Sequence, residues 1–451
     1  MRWHRDGGSR REVNRAPLSS LEMATVELFT LALGVAVSPT LVPRTAPPTA
    51  RPPLELLTST PEDLRERFGD NEVFRSKSGA TYVPTATGKQ DKAFGIWQVL
   101  RKGMDPLLSA DEQFLAKPAH LERHVPPRLR RALLPECAPV LAGATPVSEA
   151  RSQDGTVKLL LELSDGLKVE CVVIPISGKH TSLCVSSQVG CSRGCTFCST
   201  GTMGLVRNLK ASEILAQVWL ALKLVRERGL PPLVNVVFMG MGEPLNNLGA
   251  VGEAVRMLVH PDAFRLSRRN VCVSTVGPSP ALIRRAGLLP CRLAWSVHAV
   301  DDDLRKALVP TTNHPMAELR EAFADALGSR TDEKTQGLLV ELALLRGVND
   351  QAEHAEALAD FLSRSFGRND ALVNLIPYNE NGLGLAPGEF FQRPRLDDVH
   401  AFQRRLWSHG RLCTVRAQRG DDESSACGQL VVGDKREARE ERVSSLKDSA
   451  S

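Results

Sequence analysis

Residues 184–204 read CVSSQVGCSRGCTFCSTGTMG, placing four cysteines within fifteen positions. Cys191, Cys195 and Cys198 are spaced C-x3-C-x2-C, and Cys184 stands seven residues upstream, out of that register. Three close-set thiols are one short of a closed tetrahedral set, and no second knuckle follows at finger-like spacing. Immediately upstream, "SLCVSS" (182–187) is a short β-rich run, so the cysteines stand at the end of a predicted strand.

Outward from this point the same grammar repeats. Further strand candidates are 233–240, 270–275, 292–299, 338–345 and 372–377, with a seventh run beginning at 411. Between the first two lies a helix predicted to start with Ser212 as N-cap. It carries Ile214, Leu215, Val218 and Leu222 on one face and stops at Gly229 and Pro231. A second helix is predicted from Asp350, with Glu353 completing a capping-box-like pair, to Gly367. Strand and helix alternating at this spacing mean parallel βα units. Periodicity favours a barrel or partial barrel over a flat doubly wound sheet without deciding between them.

The chain has 451 residues, 42% hydrophobic and 24% charged, enough for a catalytic domain with a sizeable core and appendages. Residues 1–54 are expected to be a targeting leader or disordered extension. They hold Arg but no Lys and end in "VPRTAPPTARPP", and "VELFTLALGVAV" (26–37) has the length of a signal-peptide apolar region. Met23 is an alternative start. The leader points to an organelle, plastid or mitochondrion; without it a cytoplasmic protein is expected. Residues 55–150 read as a small, mainly helical accessory domain, 151–433 as the catalytic domain and 434–451 as a polar, disordered tail. No run is long enough to predict a membrane span.

The ten cysteines are scattered apart from the one cluster, which suits free thiols in a reducing compartment better than a disulfide scaffold. A net charge of +5 permits an anionic partner without demanding one. Arg128, Arg130 and Arg131, and Arg265, Arg268 and Arg269, form basic groups whose plain reading is solvated helix faces.

In parallel βα folds the residues just past the C-terminal end of each strand face the active site. Read in order, those positions hold the cysteines, "GMGEP" with Glu243, Ser274, "SVHA" with Ser296 and His298, and Asn379. Singly each has a bland alternative: a tight turn for Gly240 and Gly242, a satisfied structural histidine for His298. Their recurrence at one rim marks a small-molecule site. Three thiolates suit an iron–sulfur cubane in which three irons are held by protein and one is left open, with Phe197 placed to keep water off it.

C-x3-C-x2-C followed by "GMGEP" resembles the radical S-adenosylmethionine (radical SAM) superfamily. The longer strings "CVSSQVGC", "FCSTG", "RNL", "SVHA", "NLIPYN" and "RGDD…ACGQL" resemble the RlmN/Cfr-type RNA adenine methyltransferases over about 170–433. The resemblance implies a partial (β/α)6 barrel and one [4Fe–4S] cluster on Cys191, Cys195 and Cys198. It implies SAM, two molecules per turnover, bound at Gly242, Glu243, Ser274, Ser296, Val297, His298 and Asn379. Cys427 would carry the methyl group, Cys184 would break the RNA–enzyme adduct, and Glu170 would be the proton acceptor. Glu243 has a physical reason to be acidic, since the methionine ammonium wants a charge-assisted acceptor.

The implied reaction is methylation of adenine C2 in large-subunit rRNA, with tRNA as a further substrate, driven by a reductant such as flavodoxin or ferredoxin in a monomeric enzyme without membrane attachment. Methylation at C8 by the same fold is the near rival. A non-catalytic RNA-binding iron–sulfur protein is the distant one, and the presence of all five cysteines with Glu243 and Glu170 speaks against it. Without the resemblance, Cys427 reads as a buried structural thiol. Tyr378 stands where many relatives carry Trp, and "DDESSA" is unusually polar ahead of Cys427.

Overall fold

The computed structural model describes residues 52–68, 91–176, 178–386 and 389–432. Residues 1–51 of the expected leader, with Met23, and the whole expected 434–451 tail therefore lie outside the described residues. Four short helices come first, α1 (Pro61–Phe68), α2 (Lys92–Leu100), α3 (Ala119–His124) and α4 (Pro127–Leu133). Thr60 caps α1 by accepting from the Asp63 N–H at 3.1 Å, and the Asp63 carboxylate accepts the Thr60 N–H at 2.7 Å. Asp91 caps α2 through the N–H groups of Ala93 and Phe94. Leu54 bridges to Cys137 and ties the two ends of this helical stretch together.

Three strands absent from the sequence-based expectation follow: β1 (Ala144–Arg151), β2 (Val157–Leu163) and β3 (Lys168–Ile176). They form an antiparallel arm. β2 alternates Val157, Leu159, Leu161 and Leu163 with Lys158, Leu160 and Glu162, and both β2 and β3 are buried over most of their length. β1 is the sheet edge, polar and exposed, with Pro146 at a register shift that discourages pairing with a further strand.

The remaining strands are β4 (His180–Cys184), β5 (Gln188–Gly190), β6 (Leu205–Asn208), β7 (Leu233–Phe238), β8 (Val271–Thr275), β9 (Arg292–Ser296), β10 (Leu338–Leu344), β11 (Ala371–Pro377) and β12 (Leu412–Val415). β5 and β6 form a separate two-stranded sheet framing the cysteine loop. The main sheet runs β1-β2-β3-β4-β7-β8-β9-β10-β11-β12, and every pairing from β4 onward is parallel. It stays open among the described residues: β3 occupies one side of β4, and β12 pairs only with β11. This is the parallel α/β fold expected, left as a partial barrel.

Between these strands run α5 (Ala211–Arg228), α6 (Leu248–Val259), α7 (Pro280–Ala286), α8 (Asp302–Leu308), α9 (Met316–Gly328), α10 (Glu333–Gln336), α11 (Ala352–Ser363) and α12 (Leu396–Ser408). α5 buries Ile214, Leu215 and Val218 as predicted and ends on Gly229 at φ 61°. Its N-cap is Lys210, not Ser212. The Glu213 carboxylate, anchored by Arg207 at 2.8 Å, accepts the Lys210 N–H and starts the helix earlier. α11 likewise departs from expectation. Asp350 accepts the Gly347 N–H, so Gln351 becomes the cap, paired with His354 Nδ1 rather than with Glu353, and the helix stops at Ser363 before Gly367. No helix among the described residues is long and apolar enough to cross a membrane.

Candidate active site

The loop after β5 turns at a glycine where a Cβ would meet backbone. Gly190 has φ 75°, and a Cβ there would lie 1.8 Å from the Gly204 carbonyl oxygen. That close approach lets the Cys191 N–H donate to Gly204 O at 2.8 Å. Cys191, Cys195 and Cys198 line one cavity of about 140 Å³ with Glu243 and His298 on its wall. Gly242, Ser274, Ser296 and Asn379 line the same cavity. Val297 does not: its side chain is fully buried and its carbonyl accepts from Arg305 Nη1 at 2.6 Å.

Burial pushes the Cys191 thiol up to about 12 and raises Cys195 and Cys198 as well. Burial thus disfavours the free thiolates, and a bound cationic group would favour them. Among the described residues no three His, Cys, Asp or Glu side chains converge on a single-ion position. Cysteines that each take a different iron of a cubane need not converge in that way. An apolar layer of Phe197, Leu308, Val309, Tyr378 and Phe391 packs against Cys195 and Cys198. It puts Phe197 where a water-excluding residue was expected. The donor set and its dry backing fit an iron–sulfur cluster.

Glu243 is 2% exposed, and burial raises its pKa against the pull of its hydrogen bonds. Oε1 accepts from Thr275 Oγ1 at 2.6 Å and Leu245 N–H at 2.9 Å, and Oε2 accepts from Val276 N–H at 3.0 Å. A carboxylate has about four acceptor positions, so Oε2 retains one for a ligand cation. His298 adopts φ 56°, uncommon for a non-glycine residue, and its Nδ1 accepts the Ala343 N–H at 3.2 Å. Burial and Arg305 hold its pKa well below the usual histidine range, so the ring is neutral with Nε2–H left as a donor. Ser274 Oγ lies 3.2 Å from Ser296 Oγ and donates to Glu341 Oε2 at 3.0 Å.

A second, larger cavity of about 440 Å³ adjoins the first. Cys184, Glu341, Asn374 and Arg416 line it, and Cys427 lines both cavities. Cys427 is exposed, but from within this recess. Burial pushes Cys184 up to about 12 and Cys427 up to about 11, while Arg416 pulls both down. Arg416 and Glu341 are the site residues that strand-end reading missed. A lone acid inside the apolar run "LLVELALL" was the available signal for Glu341, because an unpaired charge is costly to bury.

Glu170 lies on neither wall. It is fully buried on β3, paired with Lys158 at 3.1 Å, and Oε2 accepts the Val431 N–H at 3.0 Å. The segment carrying Cys427 is fastened to the cysteine loop: Ser199 N–H donates to Gly428 O at 2.8 Å, and Asn379 Nδ2 donates to Cys427 O at 3.0 Å.

An open parallel sheet with three cysteines beyond its first parallel strand, and polar side chains at the following strand ends, defines a radical SAM enzyme; residues 185–362 match the model of the radical SAM superfamily. A crystal structure of a radical SAM methyltransferase from Sphaerobacter thermophilus is similar at a TM-score of 0.65 and 35% identity, covering 84% of this chain and 99% of that one. The dual-specificity RNA methyltransferase RlmN of Marinobacter nauticus is 42% identical over 298 residues, 64% of this chain and 76% of the relative. The protein of that name from Alkalilimnicola ehrlichii is 43% identical over 286 residues, 63% of this chain and 76% of the relative. The chain belongs to the RlmN family of radical SAM RNA methyltransferases, and it is a SAM-dependent methyltransferase.

Proposed function

We propose that this enzyme methylates C2 of an adenine in large-subunit rRNA, with tRNA as a second substrate, through a methyl-cysteine at Cys427. The observation that carries the reading is that Cys427 lies on the wall common to both cavities, with Cys184 in the second. Cys191, Cys195 and Cys198 would hold one [4Fe–4S] cluster, and Gly242, Glu243, Ser274, Ser296, His298 and Asn379 would hold SAM, with Val297 contributing backbone alone. When bound, these groups supply a methyl donor from one SAM and, from a second SAM reduced by a flavodoxin or ferredoxin, an adenosyl radical.

The chain's own residues do the rest. Cys427 accepts a methyl group on sulfur and presents it between the cavities, toward adenine held in the larger one. Arg416 favours the thiolate that must attack. The S-methyl carbon of Cys427, after giving up one hydrogen to the adenosyl radical, would bond to the adenine carbon, and that carbon's proton and one electron would then leave the adduct, the electron returning to the cluster. Cys184 Sγ, in the larger cavity and outside the cluster spacing, would attack Cys427 Sγ, so that an S–S bond forms as the S–C bond breaks and the released carbon takes a proton to become the product methyl. Glu170 is the final acceptor of the proton lost from the adenine carbon, reached by a proton relay while its carboxylate stays paired with Lys158 and the Val431 N–H. The detour through sulfur has a reason: an aromatic C–H carbon is too poor a nucleophile to displace the SAM methyl directly. RNA held by phosphate contacts would lose affinity steeply with salt.

Peptide mass spectrometry on anaerobically prepared, iron-loaded protein tests the reading. One added methyl on Cys427 is expected, and Cys427→Ala should abolish RNA methylation with iron content intact. An unmodified Cys427 in protein holding cluster and SAM would remove the mechanism. Mapping the methylated carbon separates C2 from C8.

A further inference from the structure

We propose that the antiparallel arm is a clasp that positions Cys427, with Lys158 as its central positioning residue. This rests on Cys427 being the methyl carrier. Lys158, on β2, donates from Nζ to the Ser424 carbonyl at 3.2 Å, three residues before Cys427. The same ammonium pairs with Glu170 at 3.1 Å, and Glu170 accepts the Val431 N–H, four residues after Cys427. One buried ion pair therefore holds both flanks of the segment that carries the thiol.

The turn between β1 and β2 adds an outer set of ties. Gln153 N–H donates to Asp422 Oδ2 at 2.9 Å, and Gly420 N–H donates to Asp154 Oδ2 at 3.2 Å. Arg419 lies 3.7 Å from Asp154. Within the clasped segment Ser424 adopts φ 52°, a conformation that costs free energy in a non-glycine residue and persists only when its surroundings impose it. Lys158 bonds that residue's own carbonyl. The segment has no helix or strand assignment from residue 416 to 432, so side-chain ties from the arm, with those from the cysteine loop, take the place of a backbone ladder.

Such a device suits a thiol that must meet two partners in turn, SAM in one cavity and RNA in the other. A displacement of about 1 Å can cost on the order of a hundredfold in rate. Lys158 touches neither cavity wall, so its effect must be transmitted through the segment.

Three substitutions test the clasp in full-length, cluster-loaded protein: Lys158→Met, Lys158→Gln, which keeps a donor for the Ser424 carbonyl, and Asp422→Ala at an exposed tie. Hydrogen exchange of residues 419–431 is followed together with Cys427 methylation, iron content and SAM binding. Lys158→Met should speed exchange in that segment and lower Cys427 methylation at least about tenfold, with SAM binding and iron content unchanged. Lys158→Gln should recover part of the loss, and Asp422→Ala should speed exchange at 419–422. A general folding defect would lower iron content and SAM binding together. If Lys158→Met does not fold, Asp422→Ala alone decides, and unchanged exchange there overturns the clasp. Wild-type exchange and methylation in Lys158→Met would also overturn it while leaving the methyl-cysteine reading intact. An unmethylated Cys427 in the wild type would remove that reading instead, and the exchange measurements would still report on the clasp.

Discussion

Cys184 and Cys427 lie far apart in the chain yet face one cavity, where Arg416 lies close enough to draw both thiol pKa values down. Neither cysteine is in a disulfide, and Cys427 also reaches the cavity of the three clustered cysteines. Two free thiols and one cation thus line the larger cavity together.

Replacing Cys184 by Ala leaves Cys427 accessible and removes its partner thiol. The variant should accumulate protein covalently joined to RNA, seen as a nuclease-sensitive shift on a denaturing gel. Free methylated RNA at the wild-type rate, with no shifted band, would sink the role given to Cys184.

Arg416→Met should slow alkylation of Cys427. In cofactor-free protein its thiol stands near 11, so below that pH the thiolate fraction, and with it the labelling rate, should rise about tenfold per pH unit between 7 and 9. Arg416 lowers the pKa, so its loss moves the profile toward higher pH and lowers the rate at each pH. Superimposable profiles for variant and wild type would show that the guanidinium has no hold on this thiol.

Glu243→Gln removes a buried negative charge while nearly preserving volume. SAM should bind about tenfold more weakly, the scale of one charge-assisted hydrogen bond, as read by titrating SAM against the electron paramagnetic resonance signal of the reduced cluster. Unchanged affinity would mean that Thr275, Leu245 and Val276 account for everything this carboxylate does.

Gly190→Ala places a methyl against the Gly204 carbonyl in a left-handed backbone conformation. The cost should be on the order of 2–4 kcal/mol, read as a lower melting temperature and reduced iron content. Gly249→Ala, in α6 where a Cβ meets nothing within 4 Å, is the control and should lower neither.

Much of the site was legible because its signals are local. The three-cysteine loop, the Gly240–Glu243 turn and the polar residues at successive strand ends each sit within a few positions of a β-rich run, and the structure gathers Glu243, Ser274, Ser296, His298 and Asn379 on one wall. The helix starts at Lys210 and Gln351 were misjudged because carboxylate and imidazole groups later in the first turn reached back to claim the cap. The arm strands β2 and β3 went unmarked although "VKLLLEL" alternates, because the charges within them, Lys158 and Glu170, become compatible with burial only by pairing across the strands, which the sequence does not show.

By itself the sequence determined the order of βα units, the cysteine spacing and the family, since periodicity, turn residues and motif strings are properties of neighbours along the chain. Only the tertiary structure decided that Cys427 opens on two cavities, that Glu341 and Arg416 belong beside it, that Val297 turns away, and that Lys158 holds Ser424 across the sheet. Those relations join residues far apart in the chain, and they exist only once burial has removed water as the competing partner for each charge and hydrogen bond.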